Sequence, residues 1–150
     1  MERIGIVNIP LGSVIIEVES GKLIAVRLTN EVLQEKELSI FTKQFKEYFA
    51  GKRKIFDLPY VLELPEFSKR VLEYIRNIPY GQVMTYKQVA EALGKPGGAR
   101  AVGQAMRRNP LPVLFPCHRV VAKDGMGGFL GGQEWKQFLL SLEGSRYVAK

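Results

Sequence analysis

Residues 85–108 read TYKQVAEALGKPGGARAVGQAMRR, and this stretch decides how the second half of the chain is built. Thr85 is a natural helix N-cap, with Gln88 at the third helical position to complete a capping box. Val89, Ala90 and Leu93 then recur at helical spacing until Gly94 closes the run. After Lys95-Pro96-Gly97-Gly98 a second helix is expected from about Ala99 to Arg108. Two helices joined by a short glycine-containing turn make the pattern of a helix-turn-helix. On the second of them Arg100, Gly103, Gln104 and Arg107 share one face, while Val102, Ala105 and Met106 lie towards the other. The first face is small or polar in its middle and cationic at its ends. Such a surface can lie against a nucleic-acid groove, although an ordinary solvated helix has the same composition.

Working upstream, Phe67, Val71, Tyr74, Ile75 and Ile78 predict one helical face that runs on to Pro79-Tyr80-Gly81. Downstream, Trp135, Phe138, Leu139 and Leu142 predict a last helix from about Gln133 to Leu142. The first third alternates in the manner of an antiparallel sheet. Strands are expected at Arg3–Ile9, Ser13–Ser20 and Lys22–Thr29, with turns at Pro10-Leu11-Gly12 and Ser20-Gly21-Lys22. A helix follows, with Ile40, Phe41, Phe45, Tyr48 and Phe49 on one stripe, and Gly51 ends it. The fold class expected is α+β. A small N-terminal α/β domain with an antiparallel sheet spans 1–54, a connector 55–65, and a mostly helical domain with the helix-turn-helix 66–150.

Composition narrows the partners. A chain of 150 residues with 46% hydrophobic and 25% charged residues is ordinary for a globular protein. No apolar run approaches the ~20 residues needed to cross a bilayer. Met1-Glu2-Arg3 opens no signal-peptide core, so no membrane association and a cytoplasmic location are expected. The net charge of +7 is unevenly held: residues 1–65 carry 9 Lys/Arg and 9 Asp/Glu, residues 66–150 carry 13 and 6. All the excess positive charge lies in the half with the helix-turn-helix, where neutralising phosphates would release counterions.

One Cys and one His complete the inventory, adjacent in Leu114-Phe115-Pro116-Cys117-His118-Arg119-Val120-Val121. A single Cys excludes an internal disulfide, and one Cys with one His cannot build a four-ligand zinc cage. Residues 1–65 hold neither, and no nucleotide or nicotinamide motif occurs, so no metal and no cofactor are expected. A lone Cys is more often a small buried hydrophobe than a nucleophile. Here the proline-rich lead-in, the adjacent imidazole and the following Arg119 favour a thiol made available as thiolate at neutral pH.

Pro116-Cys117-His118-Arg119-Val120 resembles the active-site signature of the O6-alkylguanine-DNA alkyltransferases. The likeness extends through Arg100-Ala101-Val102-Gly103, Asn109-Pro110, Gly131-Gly132 and Trp135 and covers roughly the second half of the chain. It implies direct repair of double-stranded DNA containing alkylated bases. An alkyl group would pass from O6-alkylguanine, and less well from O4-alkylthymine, to Cys117 after base flipping. It also implies that His118 takes the thiol proton, that Glu143 orients the imidazole, that Tyr86 hydrogen-bonds the base, and that Asn109 braces the turn before the cysteine. Arg100 would fill the gap left by the flipped base, with Gly103, Gln104, Arg107 and Thr85 on the DNA. Phe129, Leu130, Gly131 and Met106 would wall the pocket. Where the family commonly has a tyrosine and then a serine, this chain has Phe129 and Leu130. The pocket is then more apolar, and hydroxyl contacts to the base are lost. A thioether is a very poor leaving group and no second thiol exists, so each molecule, expected to be a monomer, acts once.

Two other readings use the same residues. A cysteine hydrolase could employ Cys117, His118 and Glu143, but it must regenerate its thiol and leaves the basic half unexplained. A DNA-binding module without chemistry, either a regulator or a lesion-flagging protein, would not need Cys117.

Overall fold

The computed structural model describes residues 2–129 and 131–145. Its contacts divide the chain into two units, Met1–Leu62 and Glu63–Lys150. The first holds an antiparallel meander of β1 (Glu2–Ile9), β2 (Gly12–Glu19) and β3 (Lys22–Thr29), followed by α1 (Ser39–Phe49). Alternation buries Val14, Ile16 and Val18 of β2, and α1 buries Phe41, Phe45 and Tyr48, the last two with their rings against Phe56. Gly5 permits the close approach of helix and sheet: a Cβ there would lie 2.6 Å from Thr42 Cγ2. Both sheet edges are partly covered, by Lys36 bridging Ile6 and by Tyr60 bridging Leu23. Ile40 departs from the expected stripe. It is 47% exposed, because the buried face of α1 turns through Phe41, Phe45 and Tyr48.

The second unit contains α2 (Glu66–Ile75), β4 (Met84–Thr85), α3 (Tyr86–Ala92), α4 (Ala99–Arg107), β5 (Val120–Val121) and α5 (Gln133–Leu142). The capping box forms as the sequence predicts: Thr85 Oγ1 accepts from Gln88 N at 3.1 Å, and Gln88 Oε1 accepts from Thr85 N at 2.9 Å. Gly94, at φ 75°, then lets the chain leave α3. Helix α2 is shorter than expected. It ends at Ile75, and Asn77 and Ile78 close tighter turns onto Tyr74 and Ile75. Its buried face also includes Leu72, which the predicted face omitted. Val102, Ala105 and Met106 of α4 are buried, while Arg100, Gln104 and Arg107 are exposed. The short parallel pairing of Met84 with Val120 and Thr85 with Val121 matters most for the site. It sets the first residue of α3, Tyr86, beside the segment that carries Cys117. Among the described residues no helix is long and apolar enough to cross a membrane.

Candidate active site

Asn109 organises the approach to the cysteine. Its Oδ1 accepts from Leu111 N at 2.9 Å, and its Nδ2 donates to Phe115 O at 3.0 Å and to Cys117 Sγ at 3.3 Å. Within this turn Val113 sits at φ 78°, an uncommon conformation for a β-branched residue. Cys117 opens a single 3-10 turn, Cys117–Arg119, rather than lying on a strand; β5 begins just after it. The thiol is buried and burial pushes its pKa up to about 11, against the opposing pull of Asn109 and the Lys136 charge. The expectation of thiolate at neutral pH is therefore corrected: at rest the sulfur keeps its proton, because desolvation outweighs its polar neighbours.

Behind the sulfur lies a buried ionic cluster. Glu143, the C-cap of α5, receives three short contacts. His118 Nε2 lies 2.8 Å from Oε2, Arg119 Nε donates to Oε1 at 2.8 Å, and Arg119 Nη2 donates to Oε2 at 2.8 Å. Arg119 Nη1 donates to Ile78 O at 2.7 Å. Burial pushes the Glu143 carboxyl up, but hydrogen bonds and charge from His118 and Arg119 hold it well below the usual carboxylate range. Burial lowers the His118 pKa, and Glu143 opposes that only in part. A neutral imidazole beside an ionised carboxylate carries its proton on Nε2. Nδ1 is left as the lone pair; it is buried and has no hydrogen-bonding partner among the described residues.

A cavity of about 730 Å³ opens onto Cys117. Arg100, Gly103, Gln104, Met106 and Arg107 of α4 line it together with Tyr86, Gly128 and Phe129. Phe129 also meets the His118 ring edge-on, with centroids 6.4 Å apart. Burial raises the Tyr86 pKa, so the phenol stays protonated. Asn109, His118 and Glu143 do not line the cavity. Thr85 serves as the α3 cap, Gly131 is not among the lining residues, and Leu130 lies outside the described residues.

Two members of the site escaped the sequence reading. Adjacency in the chain shows Arg119 only as a charge near the cysteine, yet it grips Glu143 bidentately. Lys136 belongs to no motif in the sequence. It is fully buried, donates from Nζ to Val120 O at 2.7 Å and Gly128 O at 3.0 Å, and lies 5.8 Å from the centre of the Tyr86 ring. Burial lowers its pKa to about 8. Its signal was present: Lys136 stands three and four residues before Leu139 and Leu140, on the buried side of α5.

Residues 66–145 match the family model described as 6-O-methylguanine DNA methyltransferase, DNA binding domain, and residues 3–62 match its ribonuclease-like domain. The chain belongs to the O6-methylguanine DNA methyltransferase family. Among relatives, the methylated-DNA–protein-cysteine methyltransferase of Archaeoglobus fulgidus is 46% identical over 112 residues, covering 71% of this chain and 75% of that one. The constitutive methylated-DNA–protein-cysteine methyltransferase of Bacillus subtilis is 38% identical over 156 residues, with 94% of each covered. Among solved structures of this methyltransferase family, Mycobacterium tuberculosis OGT in complex with DNA superposes with TM-score 0.83 at 32% identity, covering 94% of this chain and 92% of that one.

Proposed function

We propose that this chain is a methylated-DNA–protein-cysteine methyltransferase that repairs DNA by moving an alkyl group from guanine O6, and less readily from thymine O4, onto Cys117. The observation that carries the reading is one sulfur between two features: an open cavity edged by the cationic face of α4, and a buried imidazole–carboxylate–guanidinium cluster. Residues 66–150 would do both the DNA binding and the chemistry, as a monomer in the cytoplasm.

Arg100, Gly103, Gln104 and Arg107 are proposed to lie on the duplex with Thr85 beside them, Arg100 filling the place of the everted base. The base enters the cavity against Met106 and Phe129. Asn109 holds the sulfur in line. The thiol proton passes to His118 Nδ1 through a water, and the imidazolium formed is stabilised by Glu143. Sulfur then attacks the alkyl carbon, the carbon–O6 bond breaks, and its electron pair leaves on the purine. The Tyr86 hydroxyl hydrogen-bonds that departing base, where negative charge develops. Because the thiol is protonated until this moment, generic electrophiles meet a poor nucleophile and the bound lesion a good one.

The test is stoichiometry. With lesion duplex in excess, one O6-methylguanine should disappear per protein molecule and no more. Continued turnover, or hydrolysis of a p-nitrophenyl ester beyond one equivalent, would favour a hydrolase instead.

A further inference from the structure

The loop before α5 is pinned at two successive carbonyls. Gln133 Nε2 donates to Gly127 O, and Lys136 Nζ donates to Gly128 O at 3.0 Å. The pinned loop presses on Tyr86. A Cβ built on Gly127 would lie 2.8 Å from both Cε2 and the hydroxyl oxygen of Tyr86, and 3.2 Å from Cζ, with Gly127 itself at φ 76°. On the opposite side of the ring a Cβ on Gly103 would sit at 3.8 Å, an ordinary contact. The phenol thus stands in a slot between α4 and the loop, with the Lys136 ammonium over its face. The slot is just wide enough because position 127 carries no side chain.

We infer that Gly127 is a positioning residue for the reaction: its bare Cα lets the loop close against Tyr86 and hold the hydroxyl on the cavity that Cys117 opens into. This rests on the proposed role of Tyr86 towards the departing base. A side chain at 127 cannot be absorbed by loop movement without releasing Gln133 and Lys136 from consecutive carbonyls, so the phenol gives way.

The experiment is a cycle of Gly127→Ala and Tyr86→Phe, read as the saturating single-turnover rate of methyl loss from an O6-methylguanine duplex and, separately, as affinity for that duplex. Gly127→Ala should lower the rate on the order of a hundredfold, as removal of one transition-state donor does, with affinity nearly unchanged. In the Tyr86→Phe background it should cost little more. Gly127→Asn, which tolerates positive φ but carries the same Cβ, should be as slow as Gly127→Ala. Equal losses in both backgrounds, or a fast Asn variant beside a slow Ala variant, overturn the inference in favour of plain backbone strain. If the unmodified chain leaves the lesion intact, the proposed function fails instead. The positioning claim then stands or falls on isotope-labelled tyrosine NMR: Gly127→Ala must shift the Tyr86 ring resonances, and unshifted resonances refute it.

Discussion

The two units of this chain bury polar groups to different ends. In Met1–Leu62 the buried polar side chains Ser13, Thr42 and Gln44 are neutral and are satisfied locally. Ser13 bridges Asn8 and Leu33, Thr42 accepts from Leu38 N at 2.8 Å, and Gln44 clasps both backbone groups of Asp57. In Glu63–Lys150 the buried polar set includes His118, Arg119, Lys136 and Glu143, all of them ionisable. Neutral groups that exchange water for backbone hydrogen bonds fix a shape at little net cost. Ionisable groups are costly to bury unless paired, and burial shifts their pKa values. Such an arrangement reads as a site rather than as filler.

This contrast can be broken most severely at Glu143. Glu143→Gln leaves the buried Arg119 guanidinium without its counter-charge and should cost about 3–5 kcal/mol of stability, measured by denaturant unfolding. A loss under about 1 kcal/mol would mean the cluster is better hydrated than its geometry implies.

Acid should separate the units next. The folded-state pKa of His118 is lowered from 6.5 and that of Glu143 from 4.5, so below these values the unfolded chain binds protons that the folded chain refuses. Stability should therefore fall as pH drops below about 6.5, and more steeply below about 4.5. Glu143→Gln should flatten the lower part of that fall, whereas Gln44→Ala should leave its slope unchanged.

Matched deletions sharpen the comparison further. Lys136→Met strands the Val120 and Gly128 carbonyls, and Gln44→Ala strands the Asp57 backbone; each should cost about 1–3 kcal/mol. Only Lys136→Met should also slow thiol modification by a small disulfide reagent, because it removes a cation that favours the Cys117 thiolate. The smallest effect belongs to Thr85→Ala, about 1 kcal/mol from loss of the capping box, again by denaturant unfolding.

Much of this was legible in the residues. Period-two alternation located three strands to within a residue or so, the Thr85–Gln88 pair marked the start of α3, and the stripe through Trp135 and Leu139 bounded α5. These features depend on neighbours in the chain. What sequence did not yield depends on partners brought together by folding. Arg119 finds Glu143 across 24 positions, and Lys136 finds the Val120 and Gly128 carbonyls across 16 and 8. Cys117 shows the same limit: its neighbours suggest a thiolate, but burial, which no local pattern reports, decides its ionisation.

The most direct measurement is intact mass, with peptide mapping, after incubation with a duplex carrying O6-methylguanine. The account predicts one methyl in place of one hydrogen on the peptide containing Cys117, one per molecule. Cys117→Ser should show none, although it binds DNA as the unmodified chain does. An unmodified Cys117 beside a repaired duplex would contradict it, as would a methyl found on any other residue.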